Sequence, residues 1–523
     1  DGRWNSLGHV FDLSGGVDWH FDPRSDYRWP GCFYADVPVY DAGERIDVKY
    51  VWELGRQQYL FSLASAWLLG GRSDFAAHAR SVMLTWITKN PLYEGVHWTS
   101  ALEVAVRSIS WIWSLAALEG WDDLDADDLE RIQGSLAQHA EYLEHHLSFY
   151  SSPYNHLIGE ATGLLLIGWL LDDDPSAQRW RTKARQVLCE HGPRQFHADG
   201  FSVEQATGYH FYTLGFLSLA IAATRSRGEP LAELEPIVKQ AFRAGAVFRQ
   251  PDGRWPAIGD VDSARSIPVL HDDFWDFNSL CSLGAVLFDD PESKTSEAAT
   301  EVYWLLGTDA LQRLEELPTR CGSGHRLLPD SGYWIASERD DWCLLDAGPL
   351  AAGLHADATP STAHGHLDVL QVLYCHKGRP ILVDSGMPFY SGSPDWLRHF
   401  RSPAAHNTVS VDGVPAARDE GRLAWSQVRF GAELSGSSNS RHEACGRIRL
   451  GDGVSIERHV LMLPEVGLWI ADLIALDEPR PIRWTWQLGV DVEEGSDLPV
   501  VAQSGDLTLA SWTNAAWHTA SVV

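Results

Sequence analysis

The period of the hydrophobic pattern changes once along this chain, and that change limits the folds open to it. Helical spacing fits the stretches 48–70, 75–89, 100–118, 126–148, 156–171, 176–191, 203–226, 231–248 and 276–288. Their ends carry stop signals such as Gly70-Gly71, Asn90-Pro91 and Gly120. The segments come in pairs, and each is too short to bury its own apolar stripe. Helical hairpins of this kind close into a ring or stack into a superhelix. The spacing alone leaves both open.

From Gly332 onward, alternating patterns and β-formers dominate. The runs 334–337 and 342–345 flank a turn at Arg339-Asp340, and 369–375 and 381–383 flank Lys377-Gly378-Arg379-Pro380. Further strands fit 408–411, 454–463 and 468–474. Short Gly, Asp and Ser punctuation makes this an antiparallel β-sandwich. The expectation is a multidomain α+β chain, with residues 1–322 helical and 323–523 a sandwich. Strand-like residues run close to Val523, so the last sheet is expected to be incomplete.

The densest polar cluster is His355-Ala356-Asp357 followed by His364-Gly365-His366-Leu367-Asp368. If the second part is a strand, His364, His366 and Asp368 face one way. Histidine changes charge near neutral pH and is the commonest metal ligand. A solvated strand face is the bland alternative. Downstream, Asp384 ends an apolar run and His406 follows Arg401-Ser402-Pro403-Ala404-Ala405. With His366 they could offer two imidazoles and a carboxylate to zinc. Asp384 could equally be a turn residue before Gly386. In the helical half, polar residues interrupt apolar stretches at Tyr154-Asn155-His156 and from Glu204 to His210. Asn155 could be a plain helix cap, and Tyr209 a buried tyrosine with one hydrogen bond.

Composition narrows the partners. Lys and Arg number 41 against 71 Asp and Glu, a formal net charge of −30. A general nucleic-acid binder would carry a basic patch instead. An enzyme acting on an acidic polymer needs a local cationic groove inside that anionic shell, for which Arg398 and Arg401 are candidates. The 24 tryptophans can stack on sugar rings or fill large cores. Seven scattered cysteines form no CxxC pair and make no cysteine zinc site. The best apolar run, 164–171, is too short to span a bilayer, and the chain opens at Asp1 without a signal-peptide pattern. A soluble, mature or trimmed chain is expected.

Several stretches together resemble the heparinase II/III-like polysaccharide lyases. They are Asp47-Val48-Lys49-Tyr50-Val51-Trp52-Glu53-Leu54-Gly55-Arg56, Asn90-Pro91 with 98–107, Asn155-His156, 204–210, 364–368 and 401–413. The resemblance implies an N-terminal incomplete α/α toroid before the sandwich, which turns the open choice into a ring. It also implies β-elimination at a uronic acid. That reaction needs a donor for the carboxylate, a base for the C5 proton and an acid for the leaving oxygen. By analogy Asn155, with His156 beside it, binds the carboxylate, and Tyr209 is base, acid or both in turn. His364 is a second base and Tyr390 an assisting tyrosine. Trp98, Arg107, Glu204 and Gln205 line the groove with Arg398 and Arg401. His366, Asp384 and His406 hold a structural divalent metal, zinc, that keeps the His364 segment in place. Glu53 and Arg56 form a buried structural pair. Pro403 and Gln371 depart from the common Thr and Ser, at positions without proposed chemistry.

The resemblance points to a glycosaminoglycan such as hyaluronan, chondroitin or heparan sulfate, with alginate or a bacterial exopolysaccharide as rival substrates. It implies a secreted or periplasmic protein, a possible homodimer and no organic cofactor. Two readings from other classes compete. One is an α/α-ring glycoside hydrolase, which needs two carboxylates such as Asp357 and Glu204. The other is a non-catalytic sugar-binding protein.

Overall fold

The computed structural model describes residues 3–510 except 14, 41, 44–45, 262–264, 321–322, 351–363, 388–393, 421–424, 430–432, 437–441, 452, 490–492, 495–500 and 505–506. Among the described residues, twelve α-helices precede the main sheets. They are α1 (Lys49–Arg56), α2 (Tyr59–Gly70), α3 (Ser73–Lys89), α4 (Ala101–Ala117), α5 (Ala126–His146), α6 (Asn155–Leu170), α7 (Ala177–His191), α8 (Thr207–Ser226), α9 (Glu235–Val247), α10 (Asn278–Phe288), α11 (Thr300–Leu306) and α12 (Thr308–Glu316).

Alternate helices form an inner layer. α2 packs on α4, α4 on α6, α6 on α8 and α8 on α10, while α3, α5, α7 and α9 sit outside against them. The sequence dictates this split. α6 and α8 are apolar nearly all round, and such helices must be enclosed. α5 and α7 carry charged residues along one face and bury the other. Close inner packing depends on small residues. A Cβ on Gly163 of α6 would lie 2.9 Å from the Ala105 Cβ of α4. The ends of the array meet where Phe61 of α2 contacts Trp304 of α11, with ring centroids 4.9 Å apart.

Three boundaries depart from the periodicity. The stretch 48–70 breaks at Gln57, which adopts φ 54°, so α1 and α2 are separate helices. The stretch 203–226 becomes helical only at Thr207, because Gln205 at φ 52° belongs to a turn. The stretch 231–248 begins its helix at Glu235. The short helices α11 and α12 were not legible in the pattern.

The β half contains an antiparallel five-stranded meander, Gly324–Leu328, Tyr333–Glu338, Asp341–Asp346, Val372–His376 and Arg379–Leu382. A four-stranded antiparallel sheet, Glu433–Gly436, His442–Gly451, Val454–Leu463 and Gly467–Ala475, faces it. Trp334, Ala336, Cys343, Leu345, Val372 and Tyr374 pack with Ala444, Val460 and Met462 between the sheets. The opposite face of the meander is buried too. Tyr333, Ile335, Trp342, Leu344, Leu373 and Cys375 belong to the same core as the helices. Tyr333 lies 5.0 Å from both the Phe201 and Phe248 rings. Burial on two faces explains the unbroken apolar run in Asp341–Asp346, against the strict alternation in Val454–Leu463. Two strands of the outer sheet, Glu433–Gly436 and His442–Gly451, had no clear sequence counterpart.

One polar group inside the ring has a pH consequence. Glu160 on α6 accepts hydrogen bonds from Ser148 N and Oγ, each at 2.7 Å. Burial pushes its pKa from an ordinary 4.5 up to about 7, against the pull of those two bonds. The folded chain therefore holds this proton more tightly than the unfolded chain does. The associated stability is complete below pH 4.5 and is lost as pH rises through about 7. Denaturant unfolding at pH 5 and pH 8 is expected to show that Glu160→Gln escapes a loss of roughly 3 kcal/mol suffered by the wild type. An equal difference between the two proteins at both pH values would refute this.

Candidate active site

Residues 364–371 are not a strand, contrary to the alternating reading, and their polar side chains do not share one face. The segment runs between the helical ring and the sandwich. His364 and His366 turn toward the ring, and Asp368 turns toward Asp384 and His406.

Asn155 is the first residue of α6 and is fully buried. Its Nδ2 lies 2.9 and 3.1 Å from the two oxygens of Glu204. The oxygens of one carboxylate subtend too narrow an angle to take one hydrogen each. A single N–H is shared between them, and the second points elsewhere. Tyr209 sits in the first turn of α8, which follows the tight backbone at Gln205. Its ring stacks on that of His364 at 3.9 Å, tilted 23°. His364 Nε2 lies 3.8 Å from Glu204 Oε1. Asn155 and His364 thus meet at Glu204, with Tyr209 stacked on His364, although the three come from two helices and the β half. His156, half-buried, adjoins Asn155 on α6. Burial raises the Glu204 carboxyl above its usual range, while His364 and Asn155 pull it back.

The groove assignments need correction. Trp98 and Arg107 are in the helical core, at 1% and 0% exposure. Arg107 donates to His139 Nε2 at 2.9 Å and stacks over Trp86 at 4.0 Å, and burial pushes its pKa down to about 9. The contacts of both are with other core side chains, away from Asn155 and His364. Glu204 is buried behind Asn155, and Gln205 Nε2 donates to Ser331 O at 3.2 Å, a tie between ring and sandwich. Arg401 is buried over Trp425 at 4.9 Å and reaches Gly365 O at 3.4 Å, so it backs the histidine segment. Arg398 is exposed on the helix Pro394–Arg401 and is paired with Asp395 and Asp419. Tyr390, His355 and Asp357 lie outside the described residues.

The expected metal ligands are also regrouped. Asp368, Asp384 and His406 present ligand atoms that all lie within 4.8 Å of one another. His366 adjoins them, its ring 5.2 Å from that of His406, but its Nε2 is engaged by Asp260 at 2.7 Å. Asp368 therefore joins the set, a role the sequence reading did not give it. The cluster is suited to a cation. His406 Nδ1 lies 3.3 Å from Asp384 Oδ2, yet among the described residues neither ring nitrogen of His406 nor Nδ1 of His366 has a hydrogen-bond partner. Such buried orphans are rare. Burial raises the Asp368 carboxyl. Burial would also raise Asp384 and depress His406, but their mutual attraction outweighs it in both.

Asp260 was missed altogether. It is fully buried, 3.3 Å from His364 Nδ1 through Oδ2 and 2.7 Å from His366 Nε2 through Oδ1. Burial would raise its pKa, but the two histidines and Arg401 hold it at about 2. One signal was available. The long connection between α9 and α10 carries no helix or strand among its described residues, and such loops inside compact domains are usually functional.

A helical ring closed against a two-sheet domain, with asparagine, tyrosine and histidine meeting at the junction, defines a narrow class of architectures. Residues 4–276 match the heparinase II/III N-terminus family, and residues 321–521 match the heparinase II/III-like C-terminal family. The chain belongs to the heparinase II/III-like family. A heparin-sulfate lyase of Bacteroides thetaiotaomicron is 23% identical over 442 residues, covering 79% of this chain. The chain spans 56% of the length of that relative. Among solved structures, a heparinase III superposes with a TM-score of 0.69 at 16% identity, over 95% of this chain and 72% of that one. A heparan sulfate lyase from Pedobacter heparinus gives 0.61 at 18% identity, over 97% and 72%. At these identities the two structures establish the fold, an α/α toroid followed by an antiparallel β-sandwich.

Proposed function

We propose that this protein is a polysaccharide lyase that cleaves a uronic-acid-containing glycosaminoglycan by β-elimination and leaves an unsaturated uronate end. The observation that carries the reading is the meeting of Asn155 and His364 at Glu204, with Tyr209 stacked on His364. The N–H of Asn155 not shared with Glu204 binds the uronate carboxylate and stabilises the charge that develops as the C5 proton leaves. Tyr209 and His364, stacked at 3.9 Å, set two proton carriers beside one sugar. One removes the C5 proton, and Tyr209 returns a proton to the leaving O4. Family membership and the name of the Bacteroides relative support a heparan-type substrate first, with chondroitin, hyaluronan and then alginate behind. The net charge of −30 favours the less sulfated members, since each sulfate adds repulsion. The reading carries with it a secreted or periplasmic site of action, and no helix among the described residues is long and apolar enough to cross a membrane. We also take the chain to divide into domains at 1–322 and 323–523.

The test is a panel of heparan sulfate, chondroitin, hyaluronan and alginate, followed by ultraviolet absorbance of the unsaturated end. Absorbance rising with chain scission is expected. New reducing ends without it would mean hydrolysis, and binding without scission a lectin-like protein.

Asp368, Asp384 and His406, with His366 beside them, would hold a structural divalent ion, zinc by donor type. Bound there, the ion would neutralise buried carboxylates and tie the segment 364–368 to the sandwich. Stripping the metal with a chelator is expected to lower Tm, and zinc to restore it. A stabilisation of about 2.7 kcal/mol corresponds to zinc at 100 times its Kd. Protein that contains no metal by elemental analysis, and whose Tm ignores both chelator and zinc, would remove the site.

A further inference from the structure

The loop 248–277 crosses from the ring to the histidine segment at Ile258-Gly259-Asp260. Ile258 O accepts from Thr207 N at 3.0 Å, which anchors the loop to the start of α8. Gly259 has φ +71°, and a Cβ there would lie 2.7 Å from the Ala206 Cβ and 2.9 Å from His364 O. Asp260 N then donates to His364 O at 3.0 Å. The backbone therefore delivers the Asp260 carboxylate to one place, between two histidines, with no room to shift.

We propose that Asp260 is a positioning residue that sets the tautomers of His364 and His366 in opposite senses, one carboxylate oxygen to each. His364 donates to it from Nδ1, so Nε2 is the nitrogen turned toward Glu204 and the proposed substrate site. His366 donates from Nε2, so its Nδ1, buried and without a hydrogen-bond partner among the described residues, is the nitrogen left for a metal. A neutral imidazole has one N–H and one lone pair, and the partner of the first decides where the second points. A single buried carboxylate thereby links the imidazole serving the substrate to the one beside the metal cluster. The His364 half of this inference rests on the lyase reading, and the His366 half does not.

The decisive variant is Asp260→Asn, which keeps the shape but has only one acceptor oxygen for two donors. Compared with wild type on whichever uronate polymer is cleaved, it is expected to lose about 10- to 100-fold in kcat with KM nearly unchanged. Its bound metal, by elemental analysis of the purified chain, is expected to fall as well. A residue serving only to hold the fold would leave kcat intact in a variant of wild-type Tm. Wild-type kcat and wild-type metal content in Asp260→Asn would overturn the proposal. If that variant does not fold, the wild-type chain still decides. Imidazole 15N spectra in alkaline buffer, assigned with His364→Gln and His366→Gln, should show His364 protonated at Nδ1 and His366 at Nε2. Either opposite tautomer would overturn it. If no polymer is cleaved, the lyase reading fails separately, while metal content and the His366 tautomer still judge Asp260.

Discussion

Tyr209→Phe is expected to lower kcat by about two to four orders of magnitude, the usual contribution of a positioned proton donor or acceptor. Fold and substrate binding should survive. The ring is 5% exposed and lies on the His364 imidazole, and phenylalanine preserves that stack. The substitution removes one hydroxyl and no packing volume of consequence. Tm should therefore move little, and KM should stay close to wild type. Initial rates from ultraviolet absorbance, with a thermal melt of the same preparation, make the measurement. A variant that turns over at the wild-type rate would sink the assignment of Tyr209, whatever its Tm. A variant that is inactive and also melts early would point to a packing role instead.

The largest effect on stability is expected at Arg56. Its guanidinium is fully buried between Glu53 and Glu103, each 2% exposed. Nε and Nη2 donate to the two oxygens of Glu103 at 2.7 and 2.8 Å, and Nη1 donates to Glu53. The cluster pins the C-terminal end of α1 to the inner helix α4. Arg56→Met leaves two carboxylates in the core without their counter-charge, which should cost about 3–5 kcal/mol. Changing Glu53 and Glu103 to Gln in the same chain should recover part of the loss, because the buried charge is then gone. Chemical unfolding of the single and triple variants measures both. If Arg56→Met matched the wild type in stability, the cluster would be contributing nothing to the fold.

Much of the architecture was legible because a helix that must bury one stripe shows that stripe in its sequence. The split of 48–70 was not, since Gln57 adopts a left-handed conformation that its side chain does not announce. Strands of both sheets showed as β-former runs, but the apolar run in Asp341–Asp346 is unbroken because both its faces are buried, whereas Val454–Leu463 alternates. At the site, residue types were legible and partners were not. Asn155, Tyr209 and His364 could be named from the resemblance, but their meeting depends on contacts far apart along the chain. Asp260 lies 104 residues from His364, in a loop without periodicity. Trp98 and Arg107 misled for a physical reason. An indole or guanidinium that fills a core has the same letter as one that meets a sugar, and only its packed neighbours tell them apart. The HxHxD motif misled in its geometry, because its three polar residues go two ways.

The meander has apolar residues on both faces, one set claimed by the ring and the other by the outer sheet. It is a party wall between two rooms. During synthesis the helices leave the ribosome first, and the aromatic roof around Phe201 and Phe248 stays bare until Tyr333 arrives to cover it. His364 follows Tyr333 by some thirty residues of chain. The residues of the proposed site are thus brought together by the same event that shuts the core. On the lyase reading, a nascent or damaged chain that has not closed its wall would hold Asn155 and Tyr209 without His364, and its site would be incomplete.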